Sequence, residues 1–217
     1  MASPVPEADV IQPYAGNPFY WQYRGEPVLL LGGSAKDNLF QLDGLAEHLD
    51  VLRSVGGNYV RCTMSSREPG HIWPYAREED SGLYDLNRFD DDYWGRFARM
   101  VELTAERDVI MQVEFWATWD LYSRCWHKHP YNPRNNVNFT AAETGMPEVI
   151  DYPPPADNQM FHRTVPALDN VPEVRRFQEA FVDKVLYYTL DRGHVLYCMD
   201  NETNAHPEWG AYWAHYV

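Results

Sequence analysis

The sequence predicts an α/β fold made of parallel βαβ units, and three observations carry that prediction. Four short apolar runs alternate with four segments whose apolar residues recur at helical spacing. Polar residues cluster just after the apolar runs, at 34–38, 61–66, 114–120 and 200–204, where barrel enzymes place their active sites. The first run ends in Gly32-Gly33-Ser34-Ala35-Lys36-Asp37, which fits neither a dinucleotide fingerprint nor a P-loop. A doubly wound sheet and a (β/α) barrel remain, and the polar clusters favour the barrel.

The elements follow in order. Residues 19–23 and 27–31 flank Arg24-Gly25-Glu26 and read as a hairpin leading into a buried strand that ends at Gly32-Gly33-Ser34. Leu45, Leu49 and Leu52 mark a helix, with Asp43 as its expected N-cap and Gly56-Gly57 as its stop. The second strand is expected at 58–63, followed by a polar loop. Asp90 is expected to cap a helix with the stripe Trp94, Phe97, Ala98, Val101 and Ala105, and Asp91-Asp92 suit its N-terminal dipole. The third strand is placed at 109–116. A long irregular stretch, 117–169, is expected to form a wall of the site, since loops of that length are usually functional or disordered. Asn170 and Glu173 resemble a capping box for a helix carrying Val174, Phe177, Phe181, Val185 and Tyr188. The fourth strand spans 194–199, and a last helix starts near Pro207 with Trp209, Tyr212, Trp213 and Tyr216 at helical spacing.

Composition narrows the function. The chain has 217 residues, 45% hydrophobic and 23% charged, as expected of a soluble globular chain. Its 18 Lys+Arg against 32 Asp+Glu leave a net charge of −14, the wrong sign for gripping nucleic acid or an anionic membrane. Aromatic residues make up 15%, and many lie in loop-like segments beside acids, which suits a neutral, hydroxyl-rich ligand. The 3 cysteines are far apart and imply no disulfide framework. No apolar run is long enough to span a bilayer, and the N-terminus lacks the basic start and apolar core of a signal peptide. A cytoplasmic location is the default expectation.

The most informative segment is Val195-Leu196-Tyr197-Cys198-Met199-Asp200-Asn201-Glu202, an apolar strand ending in Asn-Glu where a fourth barrel strand would end. Together with the opening hairpin and Gly57-Asn58-Tyr59-Val60-Arg61, it resembles the clan A glycoside hydrolases, the cellulase-like (β/α)-barrel superfamily. The resemblance runs from about Asn17 to the C-terminus. It implies a TIM-type barrel of which this chain holds about the first four βα units after a β-hairpin, with residues 1–16 as an N-terminal extension and 17–217 as the N-terminal half of the catalytic domain. It also implies a retaining two-carboxylate cleavage with Glu202 as acid/base, and a nucleophile beyond the C-terminus, after a seventh strand. The chemistry fits the residue types: one carboxylic acid protonates the leaving oxygen, and a second carboxylate attacks. The apolar strand before Glu202 is expected to bury it partly and raise its pKa, as a proton donor needs.

The expected substrate-binding residues are Asn201, Arg61, Glu114, Trp116, Trp119, Asp120, Asp37 and Asn38. Asn201 suits a sugar 2-hydroxyl, and Arg61 has fixed donors to orient a carboxylate. Glu114 lines the interior or pairs with Arg61, and Trp116 and Trp119, like Trp73 and Trp126, offer stacking faces or core packing. No cofactor and no metal is expected. The partner is an oligo- or polysaccharide, with self-association through an open half-barrel as a further expectation. Two alternatives stand beside this reading: a non-catalytic carbohydrate-binding barrel, and a metal-dependent barrel hydrolase using His127, His129 and nearby acids.

Overall fold

The structure, a computed structural model, describes residues 6–150 and 160–217, with Ser123 and Arg124 described by backbone alone. Residues 1–5, read above for a leader, and 151–159 of the long irregular stretch lie outside the described residues. In chain order the elements are β1 (Gln12–Pro13), β2 (Trp21–Tyr23), β3 (Glu26–Val28), α1 (Leu45–Ser54), β4 (Tyr59–Thr63), β5 (Tyr75–Arg77), β6 (Tyr84–Phe89) and α2 (Asp91–Glu106). There follow β7 (Ile110–Ala117), α3 (Ser123–Trp126), α4 (Ala141–Thr144), α5 (Pro172–Thr189), β8 (Val195–Asn201) and α6 (Pro207–Tyr216). The chain divides into two compact units. One holds the residues up to Met64, Gly95–Glu114 and Val185–Cys198; the other holds Ser65–Trp94, Phe115–Lys184 and Met199–Val217.

The first unit opens on an antiparallel meander. Strands β2 and β3 form the hairpin the sequence predicts, pairing Trp21 with Val28 and Tyr23 with Glu26, so Glu26, read as part of the turn, belongs to β3. Arg24 and Gly25, at φ 52° and 81°, make the two-residue turn whose twist matches the strands. Gln12 and Pro13, placed in an extension by the sequence, add β1 to the sheet. The buried strand expected next does not form. It shrinks to one parallel bridge between Gly32 and Tyr59, and Leu29 and Leu31 are 59% and 52% exposed.

The reason is a close approach. A Cβ on Gly32 would meet the Tyr59 carbonyl oxygen, so only glycine lets the chain pass there. Side chains then complete a ladder that backbone groups would otherwise make. The Leu31 N–H donates to Asn58 Oδ1 at 2.8 Å, and Asn58 Nδ2 donates to the Leu29 carbonyl at 3.0 Å. Farther on, Ser34 Oγ donates to the Arg61 carbonyl at 2.8 Å and accepts from the Arg61 N–H at 3.2 Å. The Thr63 N–H closes the series on the Asp37 carbonyl at 2.7 Å.

The sheet therefore has three strands rather than the four expected, in the order β4-β7-β8. Strands β4 and β7 run parallel, with Arg61 opposite Gln112 and Thr63 opposite Glu114. Val60 and Cys62 of β4 and Met111 and Val113 of β7 are buried, and burial pushes the Cys62 thiol up to about 12. Helix α1 buries Leu45 and Leu49, but its N-cap is Gly44 with no side-chain cap, so Asp43 does not cap it. Phe97 stands edge-on to Phe40 at 5.8 Å and to Tyr188 at 6.1 Å.

In the second unit a hairpin stands where the sequence predicts a polar loop. Strands β5 and β6 form an antiparallel hairpin, turning near Gly82 at φ 67°. Asp90 caps α2 as predicted, its Oδ1 accepting the Tyr93 N–H at 2.9 Å. The capping box at Asn170–Glu173 does not form. Asn170 sits at φ 54° and its side-chain oxygen takes a bond from Arg175 at 2.7 Å, while α5 starts at Pro172, whose fixed φ suits a first turn. A capping box does occur on α4, between Thr140 and Glu143. The core of this unit is aromatic. Trp116 lies 4.8 Å from Phe181, 5.1 Å from Phe161 and 5.9 Å from Trp213. Trp209 and Trp213 turn inward from α6, while Tyr212 and Tyr216 donate to Glu179 and Asp183 of α5.

Candidate active site

In the first unit, alternation along the strands sets Tyr59 and Arg61 of β4 beside Gln112 and Glu114 of β7. Arg61 grips Glu114 with two parallel bonds, Nε to Oε1 at 2.8 Å and Nη2 to Oε2 at 2.9 Å. Gln112 Nε2 donates to the same carboxylate at 3.0 Å, and its carbonyl accepts the Tyr59 hydroxyl at 2.9 Å. The Glu114 side chain is 3% exposed and that of Arg61 41%, so the acid is buried and its base reaches toward solvent. Hydrogen bonding to Glu114 raises the Arg61 pKa further, and burial, helped by the Glu114 charge, raises that of Tyr59. Both oxygens of this carboxylate are taken up by neighbours, which ties β4 to β7. Asp37 is exposed, and Asn38, 1% exposed, precedes the turn Leu39–Gln41.

In the second unit, β8 ends in Asn201, and Glu202 follows in a left-handed backbone at φ 52°. Glu202 is exposed, and β8 is half-buried beyond Val195, so the expected apolar burial of this carboxyl is not present. Just before it, the Asp200 side chain is 2% exposed. Trp116 is 7% exposed and packed among rings, so it serves the core. Trp119 is 41% exposed, edge-on to Tyr122 at 5.3 Å. It walls a cleft of about 650 Å³ together with Trp73, Arg67, His71, Cys125 and Lys128. Asp120 is buried, its side chain 3.1 Å from Nε of Arg67 of this cleft.

His127 and His129 do not converge. His129 is buried, its ring stacked on Trp126 at 5.5 Å, and its Nδ1 accepts the Tyr131 N–H at 3.2 Å. His127 is exposed. Among the described residues no three His, Cys, Asp or Glu side chains form a metal-holding group. The sequence reading missed Arg67, Thr118 and His162. Arg67 follows the second strand as 61–66 do, and Thr118 and Asp200 lie in the strand-end clusters 114–120 and 200–204, so both were within reach of that argument, whereas nothing in the spacing links His162 to Asp200.

The chain is similar in structure to a glycoside hydrolase family 5 mannosidase and an endo-1,4-beta-mannanase of Rhizomucor miehei. A family 5 mannosidase aligns with a TM-score of 0.62 at 14% identity, over 98% of this chain and 54% of that one. The likeness is one of fold. An endo-1,4-beta-mannanase from the same organism aligns at 0.58 and 13% identity, over 91% of this chain and 55% of that one. A variant of the mannosidase in complex with mannosyl-fructose aligns at 0.60 and 12% identity, over 97% and 53%. This chain thus spans about half the length of these structures. No protein-family profile matches the sequence, and no curated protein does. The likeness is to the α/β fold of these enzymes, and the three-stranded sheet β4-β7-β8 does not by itself close a barrel.

Proposed function

We propose that this chain carries the acid/base side of a glycoside hydrolase, with Glu202 as the proton donor to the leaving oxygen. The observation that carries the reading is the Asn201–Glu202 turn, which ends β8 with the Glu202 carboxyl open to solvent. Asn201 binds the sugar 2-hydroxyl, a contact that strengthens in the transition state. A sugar seated on Glu202 shields from water a carboxyl that is otherwise exposed. Arg61 and Glu114 stiffen the strand pair, and Trp119 offers an exposed face to a sugar ring. The nucleophile of a retaining mechanism stands about 5–5.5 Å from the acid. We assign it to a residue outside these 217, in keeping with a chain that spans half the length of its structural neighbours. Oligosaccharides of neutral hexoses, mannosides first, are the substrates to test.

In the full-length protein, Glu202→Ala is expected to slow hydrolysis of an alkyl glycoside by at least about 100-fold, the usual weight of general acid catalysis. An aryl glycoside with an activated leaving group needs no proton and should lose far less in glycosylation. Added azide should restore part of that turnover and yield a glycosyl azide. Equal loss on both substrates with no azide rescue would overturn the role of Glu202.

A further inference from the structure

A buried imidazole–carboxylate pair lies immediately before the proposed acid/base turn, and the chemistry above makes no use of it. Nε2 of His162 is 2.9 Å from Oδ2 of Asp200, and each side chain is 2% exposed. The same Asp200 oxygen accepts the Thr118 hydroxyl at 3.1 Å. His162 stands edge-on to Trp209 at 5.1 Å and to Phe161 at 5.8 Å, so rings rather than water surround the pair. Both ring nitrogens are buried and neither meets hydrogen-bond geometry among the described residues, so the contact to Asp200 rests on the short Nε2–Oδ2 approach. Three stretches of chain therefore meet at one oxygen: the turn after β7, the end of the long irregular segment, and β8. Buried polar groups in such surroundings are costly to separate, so the meeting point is stiff.

Two residues beyond Asp200, Glu202 adopts a left-handed backbone that a side chain with a Cβ rarely takes. Strain of this kind persists only where the surrounding structure over-determines it. The alternation of β8 turns the Asp200 side chain inward, leaving the next residues to leave the strand. We infer that His162 and Asp200, with Thr118, are positioning residues that fix the end of β8 and so aim the Glu202 carboxyl. They touch no substrate; they act through the turn. The inference rests on the reading of Glu202 as acid/base.

The test is a double-mutant cycle in the full-length protein, with kcat and KM measured on an alkyl and on an activated aryl glycoside. His162→Phe keeps a ring in the aromatic box but removes the contact to Asp200. It is expected to lower kcat on the alkyl glycoside by about tenfold or more, as small misplacements of catalytic groups do, with KM little changed. His162→Gln, which keeps an N–H donor, should restore most of that loss. In the Glu202→Ala background the His162→Phe loss should shrink to under about twofold, because coupled residues are not additive. An undiminished loss in that background would overturn the inference and leave the role of Glu202 standing. If Glu202→Ala itself shows no selective loss on the alkyl glycoside, both readings fall. Should His162→Phe not fold, the same cycle run with Asp200→Asn decides by the same two outcomes.

Discussion

Arg61 and Glu114 illustrate how much one side chain can depend on another. The Glu114 carboxylate is buried with Arg61 and Gln112 donating to its oxygens. Arg61→Met removes two charged donors and strands a carboxylate in the sheet, whereas Glu114→Gln leaves an arginine that is already half in water. Arg61→Met is therefore expected to cost about 3 kcal/mol or more, and Glu114→Gln clearly less. Urea unfolding of both variants checks the order; a larger loss for Glu114→Gln would show that the arginine is the member the fold cannot leave alone. Residue types on adjacent strands made this pair legible in the sequence. The pair His162–Asp200 was not, because 38 positions separate its members and the long segment between β7 and α5 has no periodicity to place them.

At the scale of elements, strong periodicity translated well. The stripes of α2, α5 and α6 and the runs of β4, β7 and β8 lie within a few residues of where the sequence puts them. Two elements did not translate. The β5–β6 hairpin was hidden in an acidic stretch, although Tyr84 and Leu86, buried on either side of Asp85, carry the strand alternation. The apolar run 27–31 read as a buried strand because apolarity alone cannot see how near two backbones come. Its fate is decided at Gly32, which yields a sharp contrast with its neighbour. A Cβ at Gly32 would collide with the Tyr59 backbone, while one at Gly33 would meet nothing within 4 Å. Gly32→Ala is expected to destabilise the chain by about 2–3 kcal/mol, in the range of overpacked sites, and Gly33→Ala by under about 0.5 kcal/mol. Thermal unfolding of the two single variants gives the answer, and equal shifts in melting temperature would mean that the Gly32–Tyr59 crossing is not maintained in solution.

At the scale of the whole molecule, acid stability should be governed by two histidines, one in each unit. His129, enclosed by Trp126, Trp73 and Tyr131, has its pKa pushed down to about 3 by burial. His194, whose Nε2 lies 3.0 Å from the Thr104 hydroxyl, is pushed down to about 4 by burial and then by Arg192. That hydroxyl already donates to the Met100 carbonyl, so it accepts from a neutral His194 ring. Unfolding frees both rings to protonate near pH 6.5. Between pH 6.5 and about 4 the unfolded chain therefore binds protons that the folded chain does not, and stability must fall as pH falls. More than about one unit above pH 6.5 neither ring contributes pH dependence. From pH 7 to 5 each histidine should remove about 2 kcal/mol, since each proton taken up by the unfolded chain corresponds to about 1.4 kcal/mol per pH unit. The net charge of −14 acts in the opposite sense, because acid lowers its magnitude and relieves repulsion. A difference between proteins separates the two effects. His129→Phe keeps a ring in the same box, leaves the carboxylates untouched and removes one titrating group. Its stability, measured by urea unfolding at pH 7 and pH 5, should fall by about 2 kcal/mol less than that of the unaltered chain over the same interval. Parallel pH dependences for the two proteins would show that His129 protonates within the folded state, and that its aromatic enclosure opens to water.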